Sequence, residues 1–487
     1  MLVKSAAAQT ISGMRWFIAT VVVLLVLSGD VLAQTTRPSF VLCMADDQGF
    51  GDVHYNGESK LQTPVLDEMA RTGLRLDRFY AAAPVCSPTR GSFLTGRHPN
   101  RFGCFQWGNT LRPQELTLAE ALKGAGYRTG HFGKWHLGSA RADSPVSPGG
   151  SGFDTWVSAP NYFDNDPLLS RGGTVERHTG ESSMICVDEA LAFIRDASQK
   201  NEPFCAVIWF GSPHNPHRGS AELMKLYEGQ GLTEKQQHYF AEITGIDRAM
   251  GKLRTALREM KLADDTVLLY TSDNGPQGPD ARRPGSAGPF SGRKAELLEG
   301  GIRVPALIEW PSVITTPRAS DTPCNSSDIF PTVLELAGVT PNDARPLDGV
   351  SLVPLLRGKM PQRPQPMGFW NYPARGVRSP SEQLLEEQRA GQPATLFDDV
   401  ALSKITRKYA LDDRAGDAAW IDGAWKLLRR EQKDGLPTVA LFNVIEDPAE
   451  ERDRFADHPD RAARMGEALE AWQASVVRSL NGQDYAN

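Results

Sequence analysis

Three apolar runs of seven residues, each followed at once by polar side chains, most constrain the fold of this chain. The runs are SFVLCMA, FCAVIWF and TVLLYTS, at residues 39–45, 204–210 and 266–272. Runs of this length and composition are typical of strands that are buried on both faces. Between the last two runs, apolar residues from Phe240 to Met260 recur at helical spacing. We therefore predict an α/β fold, with a large mixed, mainly parallel sheet flanked by helices.

The polar clusters that follow the strands predict one shared site. A fourth, weaker strand at 127–132 leads to a further cluster. In chain order, the polar residues are Asp46, Asp47, Lys134, His136, His214, Asp273 and Asn274. Each cluster alone also fits an ordinary turn or helix cap. Because ligands of open α/β sheets bind beyond the carboxyl ends of the strands, the repeated clusters favour a single pocket.

The residue types in these clusters indicate a hard cation and a small anion. The carboxylates and the amide offer oxygen ligands, which Ca²⁺ or Mg²⁺ prefers, whereas Zn²⁺ would require more histidine or thiolate. The basic residues that we place around the cation are Arg90, Lys134, His136, His214 and Lys294. Such a set suits a small, multiply oxygenated anion with acid–base groups beside it.

The stretch PVCSPTRGSFLTGRHP, at residues 84–99, places a cysteine at the start of a predicted helix. Pro88 fits the first turn of that helix, and Arg90 follows Cys86 by one turn. We expect an exposed thiol at this point, because the positive helix end would stabilise a thiolate or a bound anion. The alternatives for Cys86 are half of a disulfide or a buried small residue. The six cysteines of the chain are too few and too scattered for a disulfide framework.

Four segments, in this order, resemble the motifs of the sulfatase family. They are VCSPTRGSFLTGR at 85–97, GYRTGHFGKWHLG at 126–138, SDNGP at 272–276 and GRKAELLEGGIRVP at 292–305. The second segment departs from the usual pattern at Phe132, where a smaller residue is common. LFNVIEDPAEERD, at 441–453, resembles the C-terminal segment of many members. The likeness covers residues 38–360 well and the rest of the chain loosely.

The resemblance implies an alkaline-phosphatase-like catalytic domain followed by a smaller C-terminal α+β domain. It also implies that a maturation enzyme oxidises Cys86 to formylglycine, whose hydrate attacks sulfur and displaces the alcohol. By resemblance, the ligands of one Ca²⁺ ion, preferred here over Mg²⁺, are Asp46, Asp47, the modified Cys86, Asp273 and Asn274.

The resemblance also implies roles for the basic residues. Lys294 and His214 match the residues at the sulfate and the leaving-group oxygen, with His217 as the alternative to His214. Arg90 and Lys134 match those that hold the hydrate and the sulfate. His136 matches the base that regenerates the aldehyde.

The resemblance therefore implies an enzyme that hydrolyses a sulfate ester, with a sulfated carbohydrate as the favoured substrate and other sulfate esters as alternatives. Three rival functions stay open: a phosphomonoester or phosphodiester hydrolase on the same scaffold, a non-catalytic binder of sulfated glycans, and catalysis by an unmodified thiolate. Four tryptophans either stack on sugar rings or pack in the core: Trp107, Trp135, Trp156 and Trp370.

The N-terminus has the features of a signal peptide. Lys4 and Arg15 precede an apolar run from Trp16 to Leu27, and small residues end at Ala33. We predict cleavage near Ala33 and export to the periplasm or the medium, with an uncleaved anchor as the alternative. The run is too short for a stable membrane span. A net charge of −6 argues against broad attraction to nucleic acid or anionic membranes.

The remaining chain divides into two predicted domains. Residues 34–365 form the catalytic sulfatase domain, and residues 366–487 form a C-terminal subdomain with a small antiparallel sheet and a closing helix. A polar, proline-rich stretch at 358–366 favours this boundary. Residues 376–418 are charged and irregular, and we expect them to shape a wall of the cleft.

Overall fold

The strands were located in a computed structural model, which describes residues 37–278, 284–341, 343–397 and 404–485. The predicted signal peptide, residues 1–33, lies outside the described residues. The strands are β1 (Ser39–Ala45), β2 (Leu74–Leu76), β3 (Phe79–Tyr80), β4 (Arg128–Lys134), β5 (Thr155–Ala159), β6 (Leu168–Arg171), β7 (Thr174–Arg177), β8 (Phe204–Trp209), β9 (Thr266–Ser272), β10 (Arg303–Val304), β11 (Leu307–Glu309), β12 (Arg318–Ser320), β13 (Cys324–Asn325), β14 (Met367–Asn371), β15 (Asp417–Asp422), β16 (Trp425–Arg430) and β17 (Thr438–Asn443).

The helices connect these strands. They are α1 (Pro64–Thr72), α2 (Cys86–Thr95), α3 (Leu118–Lys123), α4 (Ser182–Gln199), α5 (Ala221–Met224), α6 (Glu234–Glu259), α7 (Glu299–Ile302), α8 (Ile329–Ala337), α9 (Val353–Leu356), α10 (Ser381–Arg389) and α11 (Pro459–Leu480). Short 3₁₀ turns lie at His54–Asn56, Pro99–Phe102, Lys225–Tyr227, Ala263–Asp265 and Ser326–Asp328.

One large sheet carries the site. Its strand order is β12-β2-β11-β9-β1-β8-β4-β5-β6-β7. The run β9-β1-β8-β4-β5 is parallel, whereas β11 and β6 join it in the antiparallel sense. The three apolar runs are therefore adjacent central strands, and the weaker fourth strand lies beside β8. The predicted mixed, mainly parallel sheet is confirmed.

Helices cover both faces of this sheet, because alternate residues of each central strand point in opposite directions. On one face, Leu42 of β1 lies in an apolar cluster with Phe93 of α2 and Val333 of α8. On the other face, Val41 lies in a cluster with helices α4 and α6, the latter through Ile246. The helix predicted from the apolar pattern up to Met260 is α6, which ends one residue earlier.

The C-terminal part forms a separate antiparallel sheet, in the order β14-β15-β16-β17. One face of this sheet packs on α11, with Leu427 and Met465 in the shared cluster. The other face packs on Tyr80 of β3 and on Leu297, which lies just before α7. The predicted small sheet and closing helix are confirmed. Within the irregular region at 376–418, α10 is a helix that the sequence pattern did not predict.

All six cysteines are buried and unpaired. The alternative of a disulfide at Cys86 is therefore wrong, and Cys43 and Cys205 are core residues of β1 and β8. Among the described residues, no helix combines the length and the hydropathy that a membrane span requires.

Candidate active site

The carboxyl ends of adjacent parallel strands bring the predicted polar residues together. Asp46 and Asp47 follow β1, and Asp273 follows the neighbouring β9. Backbone hydrogen bonds join the strand ends: the Asp46 amide donates to the Ser212 carbonyl at 3.0 Å, and the Asp273 amide donates to the Ala45 carbonyl at 3.2 Å. The Asp47 amide donates to Asp273 Oδ1 at 3.0 Å. These bonds bring the carboxylates of two strands to one point at the sheet edge.

Helix α2 delivers Cys86 and Arg90 to the same point. Cys86 is the first residue of this helix, and all ten residues of the helix are buried. The Cys86 sulfur, one Asp46 oxygen and one Asp273 oxygen all lie within 4.8 Å of one another. The expected exposed thiol is therefore wrong: Cys86 is only 1% exposed, and burial raises the pKa of its thiol. Desolvation outweighs the stabilisation of a thiolate by the helix end and nearby cations.

Arg90 is the buried cation next to these carboxylates. Its guanidinium donates to Asp273 Oδ2 from Nη2 at 2.7 Å and from Nε at 3.1 Å. It also donates to the Lys134 carbonyl at 3.2 Å and lies over the Trp209 ring, 5.1 Å from the centroid. Because the side chain is held on three sides, Arg90 fixes α2 against the ends of β4 and β9.

Two lysines complete the charge balance of the cluster. Lys134 Nζ, at the end of β4, donates to Asp46 Oδ2 at 2.5 Å. Lys294 Nζ donates to Asp47 Oδ1 at 2.5 Å. With Arg90, these lysines give three positive charges against the three carboxylates.

The pKa values of the carboxylates differ because their neighbours differ. Burial would raise the pKa of Asp47, but the charge and hydrogen bond of Lys294, together with the charge of Lys134, hold it well below its usual range. Burial, with the negative charge of Asp46 close by, raises the pKa of Asp273 to about 6 despite Arg90. A cation bound between these groups would favour the ionised form of every carboxyl.

His136 is buried and has a neutral imidazole. Its backbone is left-handed, with φ at 54°, and the side chain is 3% exposed. Neither ring nitrogen has a hydrogen-bond partner among the described residues. Burial and the charges of Lys134 and Arg90 lower the pKa of His136 well below its usual value. A neutral, unpartnered imidazole can accept a proton from a bound group.

His214 lies close to the carboxylates of Asp46 and Asp47. Its Nδ1 lies 2.6 Å from the Asn215 carbonyl, and its Nε2 lies 3.7 Å from Asp47 Oδ2. Because a carbonyl only accepts hydrogen bonds, Nδ1 must carry the proton, so Nε2 of the neutral ring is an acceptor. Burial lowers the pKa of His214 to about 3, against the opposing effect of Asp47.

Two amide side chains fix Asp47. Asn274 Nδ2 donates to Asp47 Oδ1 at 2.7 Å, and Gln277 Nε2 donates to Oδ2 at 2.8 Å. The sequence analysis identified Asn274 but missed Gln277. In the sequence, Gln277 is distinguished only as a polar residue three positions after Asn274, in the same loop beyond β9.

The donor set fits a hard divalent cation. Asp46 Oδ1 and Asn274 Oδ1 are buried oxygens without a hydrogen-bond partner among the described residues. Buried acceptors of this kind require a partner, and a cation would satisfy both. Carboxylate and amide oxygens are ligands that Ca²⁺ prefers. The sequence-predicted ligands thus converge on one location.

Several candidates lie elsewhere or have structural roles. His217 pairs with Glu242 at 3.2 Å, outside the cluster of Asp46, Asp47 and His214. Three of the four candidate tryptophans are buried: Trp135, Trp156 and Trp370. Trp107 is 41% exposed and stays available for a ligand. Tyr162, which the sequence analysis did not select, lies against the His214 ring at 5.3 Å between centroids.

Comparison with known proteins identifies the family. The sulfatase family profile matches residues 38–339. N-acetylgalactosamine-6-sulfatase of Sus scrofa is 34% identical over 395 residues, which cover 73% of each protein. Steryl-sulfatase of Rattus norvegicus is 32% identical over 413 residues, covering 66% of this chain and 70% of that protein.

The fold is shared with solved structures. The crystal structure of Ps i-CgsB in complex with k-i-k-neocarrahexaose superposes with a TM-score of 0.75, at 23% identity. The match covers 90% of this chain and 93% of that chain. Because the family profile spans every strand end that contributes to the carboxylate cluster, the chain belongs to the sulfatase family and is a sulfuric ester hydrolase.

Proposed function

We propose that this enzyme removes sulfate from a sulfated carbohydrate, using formylglycine derived from Cys86 and one bound Ca²⁺ ion. The observation that carries the proposal is the meeting of three buried carboxylates, the start of α2 and three cations at one sheet edge. The relatives include an N-acetylgalactosamine-6-sulfatase, whose name gives a sulfated sugar as its substrate. Steryl-sulfatase shows that the family also accepts other alcohols.

The residues that would hold the Ca²⁺ are Asp46, Asp47, Asp273, Asn274 and the modified Cys86. The ion would supply positive charge that polarises the sulfate and favours an ionised hydroxyl on the modified side chain. Ca²⁺ is preferred over Mg²⁺ because up to five protein ligands fit its larger coordination shell, whereas Mg²⁺ usually retains several waters.

The modified Cys86 would supply the attacking oxygen as a hydrated aldehyde. An unmodified thiol is a poor alternative, because Cys86 is buried and a thiolate there would be desolvated. The position at the start of α2 directs backbone N–H groups toward a bound anion.

The chain's own cations would orient the sulfate and neutralise its charge. Arg90 and Lys134 are held by carboxylates and lie on the catalytic side of α2 and β4. Lys294 carries a proton, since the charge of Asp47 overcomes burial and raises the pKa of the ammonium group. We therefore assign the proton for the leaving-group oxygen to Lys294.

The two histidines would act on protons at different atoms. Nε2 of His214 presents a lone pair. His214 would therefore accept a hydrogen bond or stabilise the protonated Lys294, and would not be the first group to donate a proton. His136, neutral and unpartnered, would remove the proton whose loss restores the aldehyde. The assignment of His214 follows from the hydrogen bond of its Nδ1, and that of His136 follows from two ring nitrogens without a partner among the described residues.

We also propose the processing and domain division that the sequence predicts. Residues 1–33 would direct export to the periplasm or the medium. A maturation enzyme would convert Cys86 to formylglycine. The catalytic part would be 34–365 and the C-terminal part 366–487. No partner other than the substrate and the maturation enzyme enters the proposal.

The test combines a mass spectrum with turnover. The tryptic peptide that contains residue 86 from the native source should carry an aldehyde in place of the thiol. The same protein should release inorganic sulfate from an aryl sulfate, lose that activity on chelation and regain it with Ca²⁺. Faster release of phosphate from the matched aryl phosphate would favour the phosphoester-hydrolase rival instead.

Two variants provide the controls for this test. Cys86→Ala and Asp273→Ala should each abolish sulfate release while the far-ultraviolet circular dichroism spectrum stays unchanged. Sulfate release by either variant at the rate of the unaltered enzyme would contradict the site assignment.

A further inference from the structure

A broad groove lies beside the proposed catalytic pocket, between the loop after α2 and the segment that follows β14. Its larger cavity has a volume of about 650 Å³ and adjoins a second cavity of about 230 Å³. The residues that line both cavities are Gly103, Phe105, Thr110, Arg407 and Tyr409. The larger volume lies within the range of roughly 300–1,000 Å³ that is typical of small-molecule sites. We call this surface the arginine groove.

The charges in the arginine groove have one sign. Four basic residues line the two cavities: Arg112, Arg375, Lys404 and Arg407. Among the described lining residues there is no aspartate or glutamate. The chain as a whole carries a net charge of −6. A basic groove on an acidic protein gathers anions locally.

Two of these arginines are available for a ligand. Arg375 and Arg407 are exposed, and neither makes an ion pair with a described carboxylate. The Arg407 guanidinium lies over the Tyr409 ring, 4.5 Å from the centroid. Arg112, in contrast, already donates to the Leu480 carbonyl and to the Tyr485 hydroxyl. The two exposed arginines can therefore form bidentate contacts with a carboxylate or a sulfate.

Aromatic rings line the same cavity as these arginines. Phe105 lies 4.8 Å from Tyr372 and 6.0 Å from Tyr409, between ring centroids. Exposed Trp107 stands beside the groove, and its carbonyl accepts from the Val377 amide at 2.9 Å. Flat apolar rings next to cations suit a sugar that carries anionic groups.

Hydrogen bonds link the groove to the proposed catalytic residues. Gly108, in the groove wall, donates to Ser87 Oγ at 2.8 Å, and Ser87 adjoins Cys86. Asn371 Nδ2, next to Tyr372, donates to the carbonyl of Ala295 at 3.0 Å, and Ala295 adjoins Lys294. The groove is thus connected to Cys86 through Ser87, and to Lys294 through Asn371 and Ala295.

We propose that the arginine groove binds a second anionic group, a carboxylate or a sulfate, on the carbohydrate whose sulfate ester is cleaved. The substrate class is then an oligosaccharide with at least two anionic groups, rather than a monosaccharide with a single sulfate. This inference rests on the proposed function for the position of the scissile ester. The direct contacts are assigned to Arg375 and Arg407.

The test measures binding in a protein that cannot cleave its ligand. In a Cys86→Ala background, isothermal titration compares a κ-carrageenan hexasaccharide, a hyaluronan hexasaccharide and neutral cellohexaose at 50 mM and 200 mM NaCl. We expect at least one anionic oligosaccharide to bind at least tenfold more tightly than cellohexaose. The carrageenan arm reports sulfate recognition, and the hyaluronan arm reports carboxylate recognition. Added salt should weaken the binding.

The variants then locate the binding site. Arg375→Ala combined with Arg407→Ala should weaken that affinity at least tenfold. Arg378→Ala removes an exposed positive charge from the same segment outside both cavities, and should change the affinity less than twofold. Unchanged thermal melting shows that the double variant is folded. Equal binding of all three ligands, no effect of the double variant, or an equal effect of Arg378→Ala would overturn the proposal.

A separate assay distinguishes failure of the proposed function. The unaltered, mature enzyme is assayed for sulfate release from 4-methylumbelliferyl sulfate. No release, together with a tenfold loss of oligosaccharide binding in the double variant, would overturn the proposed chemistry but support the groove as an anion site. Release without that loss would overturn the groove alone.

Discussion

At the scale of single residues, Asp47 shows how the site holds a carboxylate in one orientation. Lys294 and Asn274 contact one oxygen, and Gln277 contacts the other. The residue has a positive φ of 65°, which a short polar side chain tolerates better than a branched one. Gln277 is therefore a positioning residue, because it contacts the proposed metal ligand Asp47 and is not itself one of the proposed ligands.

Gln277→Ala is predicted to lower kcat/KM for an aryl sulfate about tenfold. The physical reason is the loss of a hydrogen bond to a charged group, about 1.5 kcal/mol. Gln277→Glu should lower it further, because a second negative charge would lie beside Asp47. Steady-state kinetics over a range of Ca²⁺ concentrations provides the measurement. Gln383→Ala, which removes an exposed amide from α10, serves as the control, and an equal loss there would contradict the prediction.

At the scale of elements, helix α2 depends on contacts with the loop before it. Its N-cap residue, Val85, provides no side-chain cap. Thr89 instead holds the preceding loop: its hydroxyl donates to the Ala83 carbonyl at 2.8 Å and accepts from the Ala83 amide at 3.2 Å. The first-turn N–H groups near Cys86 therefore stay unused by a capping side chain, while the preceding loop remains fixed.

Thr89→Val should lower the free energy of unfolding by about 2 kcal/mol, because buried polar groups of Ala83 lose their partner. Thr89→Ser keeps the hydroxyl and should recover most of that loss. Denaturant unfolding followed by tryptophan fluorescence measures both variants. Equal destabilisation by valine and serine would show that the methyl group, rather than the hydroxyl, determines stability at this position.

At the scale of the whole molecule, Asp348 joins parts of the chain that lie far apart in sequence. Its carboxylate accepts from Arg101 at 2.6 and 2.9 Å, and from the indole N–H of Trp472 in α11 at 2.8 Å. Burial would raise the pKa of Asp348, but the Arg101 guanidinium holds it well below the usual range. One ionised side chain thus links the closing helix to Arg101, in addition to the other contacts of that helix.

Asp348→Asn should lower the free energy of unfolding at pH 7 by about 3 kcal/mol, because Arg101 would be left buried without its counter-charge. Since the folded-state pKa is depressed, the contribution is present above the unfolded pKa of about 3.9 and is lost as pH falls below it. The difference between the two proteins should therefore shrink between pH 5 and pH 3. Urea unfolding at several pH values measures this dependence.

The matched control for this substitution is Asp457→Asn. Asp457 pairs with Arg454 at 2.7 Å on the surface, where a salt bridge contributes about 0–1 kcal/mol. A loss at Asp457 as large as that at Asp348 would contradict the role of burial.

The sequence predicted those parts of the fold and the site whose residue pattern lies within one short segment of the chain. The apolar runs identified β1, β8 and β9, because a strand buried on both faces leaves a continuous pattern. The strand ends then located Asp46 and Asp273. Arg90 and Lys294 follow no predicted strand: helical spacing placed Arg90 beside Cys86, and the resemblance to sulfatases assigned both residues their catalytic roles. Gln277 was missed because one amide in a loop has no pattern.

Pairings across long separations had no sequence signal at all. Asp348 and Arg101 are 247 residues apart, and Glu299 and Lys426 are 127 residues apart. Burial of a charge depends on what the rest of the chain places around it. For the same reason, Cys86 was expected to be exposed: the helix start was correct, but the surrounding loops that cover it were not visible.

The contact between Lys426 and Glu299 affects whether residues 34–365 can be produced without residues 366–487. Both side chains are fully buried, and their charged groups lie 3.0 Å apart. Glu299 belongs to the segment that carries Lys294, whereas Lys426 belongs to β16 of the small sheet. Expression of residues 34–365 alone would remove the Lys426 partner of Glu299, five positions from a proposed catalytic ammonium, and leave Glu299 with Arg303 and Tyr80. Complementation by a separately supplied 366–487 fragment, rather than simple truncation, is the route by which the catalytic half could be studied.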